Sequence, residues 1–219
     1  MLETGFKQNE KNIFSYKNRR NSIVLKLKSN LSILTALLVF TLSIAPALAD
    51  TDVQVFDNTI TVEEVQAAQR GWCAGLLAIN EAYQKGGFEA AEAKAGAVID
   101  AAYAYDFGPV AFKPTYAVGE NTFRQDRAGA LAYFVGPDPS VKQFGKDQGF
   151  ATYRHWKSCE IIDDVIQIFG DTANTMGFVK LVDSEGGVAQ PEKTWTFWKP
   201  KTGSIRIVLH HSSAPFDTP

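Results

Sequence analysis

The sequence predicts an α+β fold in which helices from its first part cover one face of a curved antiparallel sheet formed by its second part. Apolar residues recur every three or four positions between Val65 and Tyr83, and from Tyr153 onward β-branched and aromatic runs alternate with turn residues. Size is the third observation: residues 50–219 follow a leader and suit one domain with a sizeable core rather than two.

The leader, residues 1–49, has Lys26 and Lys28 before an apolar stretch from Leu31 to Ala45, then small residues at Ala47 and Ala49. That is the pattern of a secretory signal peptide cleaved before Asp50, and the run is short for a membrane span. The expectation is an exported protein of the periplasm or an equivalent lumenal compartment, free of the membrane after cleavage. The long polar stretch before Lys26 leaves the translation start open. Removing the leader takes 7 of 22 Lys and Arg and 2 of 24 Asp and Glu, leaving 15 against 22 and a net charge of −7. An acidic domain without a basic run is unsuited to a phosphate backbone, so no nucleic-acid partner is expected.

Thr61-Val62-Glu63-Glu64 reads as a capping box. The helix it starts carries Val65, Ala68, Trp72, Leu76, Ile79 and Tyr83 on one stripe and stops at Gly86-Gly87. An Ala-rich helix should run from Glu89 to Tyr105, before Asp106-Phe107-Gly108-Pro109. Residues 109–127 break every period and read as loop with short extended pieces. Arg127 to Phe134 fits a short helix ended by Gly136-Pro137, with a strand as the alternative, and 137–149 reads as an exposed loop with little to bury. Strands follow over Tyr153–Phe169, Ala173–Val182, Ala189–Lys199 and Ser204–Ser213. Turns at 183–187 and 200–203 have hairpin chemistry, so the last three strands should form an antiparallel meander.

The last strand ends in His210-His211-Ser212-Ser213, four side chains able to move protons. Regular alternation puts Ile205, Ile207, Leu209, His211 and Ser213 on one face, the one that looks buried, and Arg206, Val208, His210 and Ser212 on the other. A wall changing from Ile and Leu to His and Ser suits a pocket floor; a β-bulge would exchange the two faces. Cys73 and Cys159 are either a disulfide, as an oxidising compartment favours, or two buried thiols. No HxH, CxxC or HExxH spacing occurs, and the least implausible zinc set is Cys73, Cys159 and His155. Trp72, Trp156, Trp195 and Trp198 fit core or interface roles. Arg124 and Arg127 are candidates for holding an anion near Thr115, or for ion pairs.

The order of elements, with Lys193-Thr194-Trp195-Thr196-Phe197-Trp198-Lys199, the Gly203 turn and Ile207 to Ser213, resembles the nuclear transport factor-like cone fold, which includes SnoaL-like proteins and the association domain of calmodulin-dependent kinase. Enzymes, binding modules and assembly domains share that fold, so it leaves function open. A narrower resemblance rests on Phe112-Lys113-Pro114-Thr115, Thr122-Phe123-Arg124, the segment Gly129 to Gly136 and the terminal His-His-Ser-Ser, together with the leader. These resemble the iota-class carbonic anhydrases over roughly Thr61 to Phe216. The resemblance implies a lyase that hydrates CO2 reversibly to bicarbonate in a pocket of threonine, tyrosine, serine and histidine, falling here on Thr115, Tyr133, Ser213 and His211. His210, Ser212 and Arg124 are the alternates. Phe112, Phe123, Leu131 and Leu209 would supply the apolar niche for CO2. The resemblance implies no metal cofactor, with zinc or manganese left open because some members use one, and a homodimer through the outer sheet face. The alternative function is a non-catalytic module of the SnoaL-like fold that binds a small molecule or anion.

Overall fold

The computed structural model describes residues 57–136 and 144–215; the leader and the first part of the 137–149 loop lie outside them. Helix α1, Val62–Ala102, begins at the capping box: the Thr61 hydroxyl accepts from the Glu64 N–H at 3.2 Å and Glu64 Oε2 accepts from the Thr61 N–H at 2.9 Å. Two otherwise orphaned donors are thereby satisfied. The predicted pair of helices appears as two halves of α1 meeting at Gly87, whose φ of 69° is open to glycine at little cost. The second half stops at Ala102 rather than Tyr105, because Tyr103 turns extended and bridges to Ile207. Helix α2, Arg127–Val135, is capped by Asp126, whose carboxylate accepts from the Gly129 N–H at 2.7 Å.

The sheet contains β1 (Ala111–Lys113), β2 (Trp156–Phe169), β3 (Thr172–Asp183), β4 (Val188–Ala189), β5 (Glu192–Trp198) and β6 (Arg206–Ser213). Its order is β1-β6-β5-β3-β2, with β4 beside β3. The antiparallel order β2-β3-β5-β6 follows the predicted strands, except that Ala189–Lys199 divides at Gln190-Pro191, where proline offers no ladder N–H. Strand β1 pairs with β6 in parallel and sets Phe112 beside His210. Strand β1 is a short extended piece of the kind expected within 109–127; three residues are too few for a periodic signal to place it.

Trp72, Leu76, Ile79 and Ile99 of α1 form one buried cluster with Leu181, Trp195, Phe197 and Ile207 of the sheet. Trp156 is buried too, whereas Trp198 is half-buried edge-on to Phe107. A disulfide joins Cys73 of α1 to Cys159 of β2 across 86 residues, with the Cα atoms 5.4 Å apart. The loop expected to be exposed is partly buried over its described residues. Phe144 lies under the Arg124 guanidinium at 4.3 Å, and Phe150 and Ala151 join the core. Gly149 makes this possible: its φ is 81°, and a Cβ there would stand 2.6 Å from the Val135 carbonyl.

Candidate active site

Strand β6 decides which terminal side chains enter the molecule. It pairs Thr196 with Leu209 but Phe197 with Ile207, so Val208 is an extra residue opposite β5 and the alternation changes phase there. Ile205 and Ile207 point inward before the bulge, His210 and Ser212 after it. His211 is exposed, and Ser213 is directed to the Glu192 carboxylate at 2.6 Å. The face assignment that favoured His211 and Ser213 is therefore corrected to His210 and Ser212, each 1% exposed.

Ser212 Oγ lies 2.6 Å from Thr115 Oγ1 and donates to the Glu192 carbonyl at 3.1 Å. Thr115 follows Pro114 directly after β1, and the parallel β1–β6 pairing brings it to the end of β6. Tyr133, on the buried side of α2, stacks on Phe150 at 5.5 Å and meets Phe112 edge-on at 5.7 Å. Its hydroxyl is buried and, among the described residues, has no hydrogen-bond partner. Burial raises the phenol above its ordinary range; the nearby Thr115 hydroxyl and the Thr115 and Tyr116 main chain act oppositely, without reaching hydrogen-bond geometry. Tyr133 and Phe150 also line a cleft of about 500 Å³.

Against Phe112 and Phe150 stands a buried polar array. The Trp72 indole donates to the Tyr103 hydroxyl at 3.0 Å, that hydroxyl meets His210 Nδ1 at 2.8 Å, and His210 Nε2 meets Lys193 Nζ at 3.1 Å. Phe112 stacks on the imidazole at 4.6 Å. Burial, then the charges of Lys193 and His211, hold the imidazole well below its usual range, so the ring is neutral at physiological pH. Lys193 is 3% exposed, and burial, with Lys113 second, lowers its ammonium to about 7.

Of the expected niche, Phe112 is buried beside the pocket, and Leu131 and Leu209 are half-buried, Leu209 on the opposite side of β6 from His210. Phe123 is corrected: it is 68% exposed, because its neighbour Arg124 takes the inward position. Arg124 is no anion site either, since its guanidinium already holds Asp147 in a two-pronged pair at 2.7 and 2.8 Å. Arg127 likewise grips Asp100. Sequence reasoning passed over Lys193, Tyr103 and Phe150. The available signal for Lys193 was a lysine at an apolar phase of the alternating strand Lys193-Thr194-Trp195-Thr196-Phe197.

A family model for metal-independent carbonic anhydrase matches residues 63–214. The chain belongs to this family. The metal-independent carbonic anhydrase of Nostoc sp. strain PCC 7120 is 48% identical over 163 residues, covering 74% of this chain and 78% of that protein. The crystal structure of the iota-carbonic anhydrase from a cyanobacterium complexed with bicarbonate is 47% identical, with a TM-score of 0.72 over 76% of this chain and 99% of that one. Membership of the metal-independent carbonic anhydrase family agrees with the fate of the zinc set: Cys73 and Cys159 are spent in the disulfide and His155 is exposed. Among the described residues no three His, Cys, Asp or Glu side chains converge to hold a metal ion.

Proposed function

We propose that this protein catalyses the reversible hydration of CO2 to bicarbonate without a metal, in the pocket formed by Thr115, Tyr133 and Ser212. The observation that carries the reading is the Tyr133 hydroxyl, a buried donor left without an acceptor among the described residues, beside a hydroxyl pair whose protons are already assigned. Leaving such a group unpaired costs about 1–3 kcal/mol, a cost a bound ligand removes.

The donor count fixes what each group offers. A carbonyl only accepts, so the Ser212 proton goes to Glu192, and Thr115 must then donate to Ser212 Oγ. The remaining lone pairs of Thr115 accept, which suits a water or the hydroxyl of bicarbonate. Tyr133, neutral because burial raises its phenol, donates to the oxygen on which negative charge develops. CO2 itself is apolar, and the rings of Phe112, Tyr133 and Phe150 provide aromatic walls for it. Acceptor and donor thus orient water and stabilise bicarbonate without a Lewis acid. Bulk water has a pKa of about 15.7, so the reaction also needs a base.

Stopped-flow CO2 hydration by the purified domain after exhaustive chelation tests the reading, with Thr115→Val as comparison. Activity that survives chelation and falls about 100-fold or more in the variant supports it. Bicarbonate binding without turnover in the folded wild type would make the protein a binding module instead.

The leader and the Cys73–Cys159 disulfide support export to an oxidising compartment. The exposed apolar residues Ile162, Val165, Met176 and Phe178 support a homodimer: they form cross-strand pairs, Ile162 with Phe178 and Val165 with Met176, on the outer face of β2 and β3.

A further inference from the structure

We propose that the uncharged amine of Lys193 is the base that takes the proton released when water adds to CO2, with His210 as the residue that positions it. The inference rests on the hydration reading above and names the base which that reading requires. In the step, the water oxygen bonds to the CO2 carbon, one C=O electron pair moves onto oxygen, and the proton lost by the water bonds to Lys193 Nζ. The ammonium then passes the proton to a buffer base as bicarbonate leaves.

Placement is the first argument. Lys193 is the cross-strand partner of Ser212, so both side chains rise from one inward row. Its Nζ lies 5.6 Å from the ring centre of Phe150, the ring on which Tyr133 stacks. The second argument is charge. A buried ammonium with a purely structural role needs a carboxylate, and among the described residues Lys193 has none. Its surroundings are the Trp72 ring at 5.0 Å, the Phe150 ring and His210 Nε2. Third, His210 cannot itself reach water, because Tyr103 and Lys193 occupy both ring nitrogens. With Nδ1–H donating to the Tyr103 hydroxyl, Nε2 accepts an N–H of the amine or of the ammonium and leaves the amine lone pair free for the water proton. Finally, amine and CO2 are neutral while ammonium and bicarbonate form an ion pair, so the step creates no net charge in a buried site.

The titratable groups around Lys193 are His210 on β6, Tyr103 beyond the imidazole at the end of α1, Tyr133 on α2 and Lys113 on β1. Asp163 of β2 stands in the same row beyond Gly177, its carboxylate accepting from Gln69 at 2.7 Å. Burial and Lys113 both favour the amine and lower the group to about 7, in line with a base in use at neutral pH.

The test is the pH profile of kcat/KM for CO2 hydration in wild type, Lys193→Met and Lys193→Arg, alongside bicarbonate binding followed by 13C NMR. Wild type should rise with pH through one ionisation near 7. Lys193→Arg, always charged, should still bind bicarbonate yet hydrate CO2 about 100-fold more slowly or worse at every pH, and Lys193→Met should lose the inflection. Either folded variant keeping the wild-type profile within threefold overturns Lys193 as base while leaving the hydration reading intact. An inactive wild type overturns both. Should neither variant fold, 13C-lysine NMR of the wild type decides: one lysine titrating near 7 and shifting upward with bicarbonate supports the proposal, and all lysines titrating above 9 overturn it.

Discussion

Tyr133 separates chemistry from stability at a single atom. Its hydroxyl has no partner among the described residues, so Tyr133→Phe should lower CO2 hydration about 100-fold while the melting temperature holds or rises. Stopped-flow rates and a thermal melt on one preparation check both halves. The β6 phase gives a second contrast. Ser212→Ala should cost activity by removing the anchor of Thr115, whereas Ser213→Ala, whose hydroxyl only meets exposed Glu192, should hydrate at near the wild-type rate. Equal losses would put the wrong serine in the pocket. Lys193 makes a stability prediction as well. It binds its proton less tightly folded, at about 7, than unfolded at the ordinary lysine value of 10.5, so between those values the unfolded chain holds more protons. The penalty is full below about pH 7 and absent above about 10.5. From pH 7 to 9 urea titrations should therefore show wild type gaining on Lys193→Met by up to about 1.4 kcal/mol per pH unit.

Among the elements, the segment after α2 depends on one ion pair. Arg124 bonds Asp147 twice and covers Phe144, and its main-chain N–H donates to the Phe112 carbonyl at 2.8 Å, which ties the loop carrying Phe150 to β1. Asp147→Asn leaves a guanidinium that is 1% exposed without its counter-charge and should destabilise by about 3 kcal/mol, read from chemical denaturation. Hydration should fall with it, because Phe150 backs both Tyr133 and Lys193. This element was the least legible in the chain. Residues 137–149 have loop composition, and nothing in Phe144 or Asp147 alone announces that Arg124 will be drawn between them. The capping box at Thr61 and the turn at 183–187 were legible because their hydrogen bonds close within a few residues, and the turn at 200–203 because it needs the positive φ that Gly203 supplies.

For the whole molecule, the outer face of β2 and β3 carries an apolar strip in an otherwise acidic domain. If that strip is the proposed dimer interface, light scattering should give twice the mass of the purified chain. Met176→Asp should then yield monomers with the CO2 site intact, since Met176 points away from the core. A wild-type monomer at micromolar concentration would remove the dimer.

By itself the sequence determined the α+β class, the capped helix starts and the hairpins, and its motifs carried the resemblance that led to the family and proposed Thr115 and Tyr133 for the site. The caps and the 183–187 turn are written in local spacing, where each side chain's neighbours lie a few residues away, whereas Thr115 and Tyr133 came with the family resemblance. Tertiary structure alone decided that His210 and Ser212 face inward, that Lys193 joins them and that Arg124 is already paired. Alternation along β6 predicts two faces but holds no information about the partner strand. One extra residue at Val208 opposite β5 exchanges those faces, and register between distant strands is settled only when the sheet closes on its core.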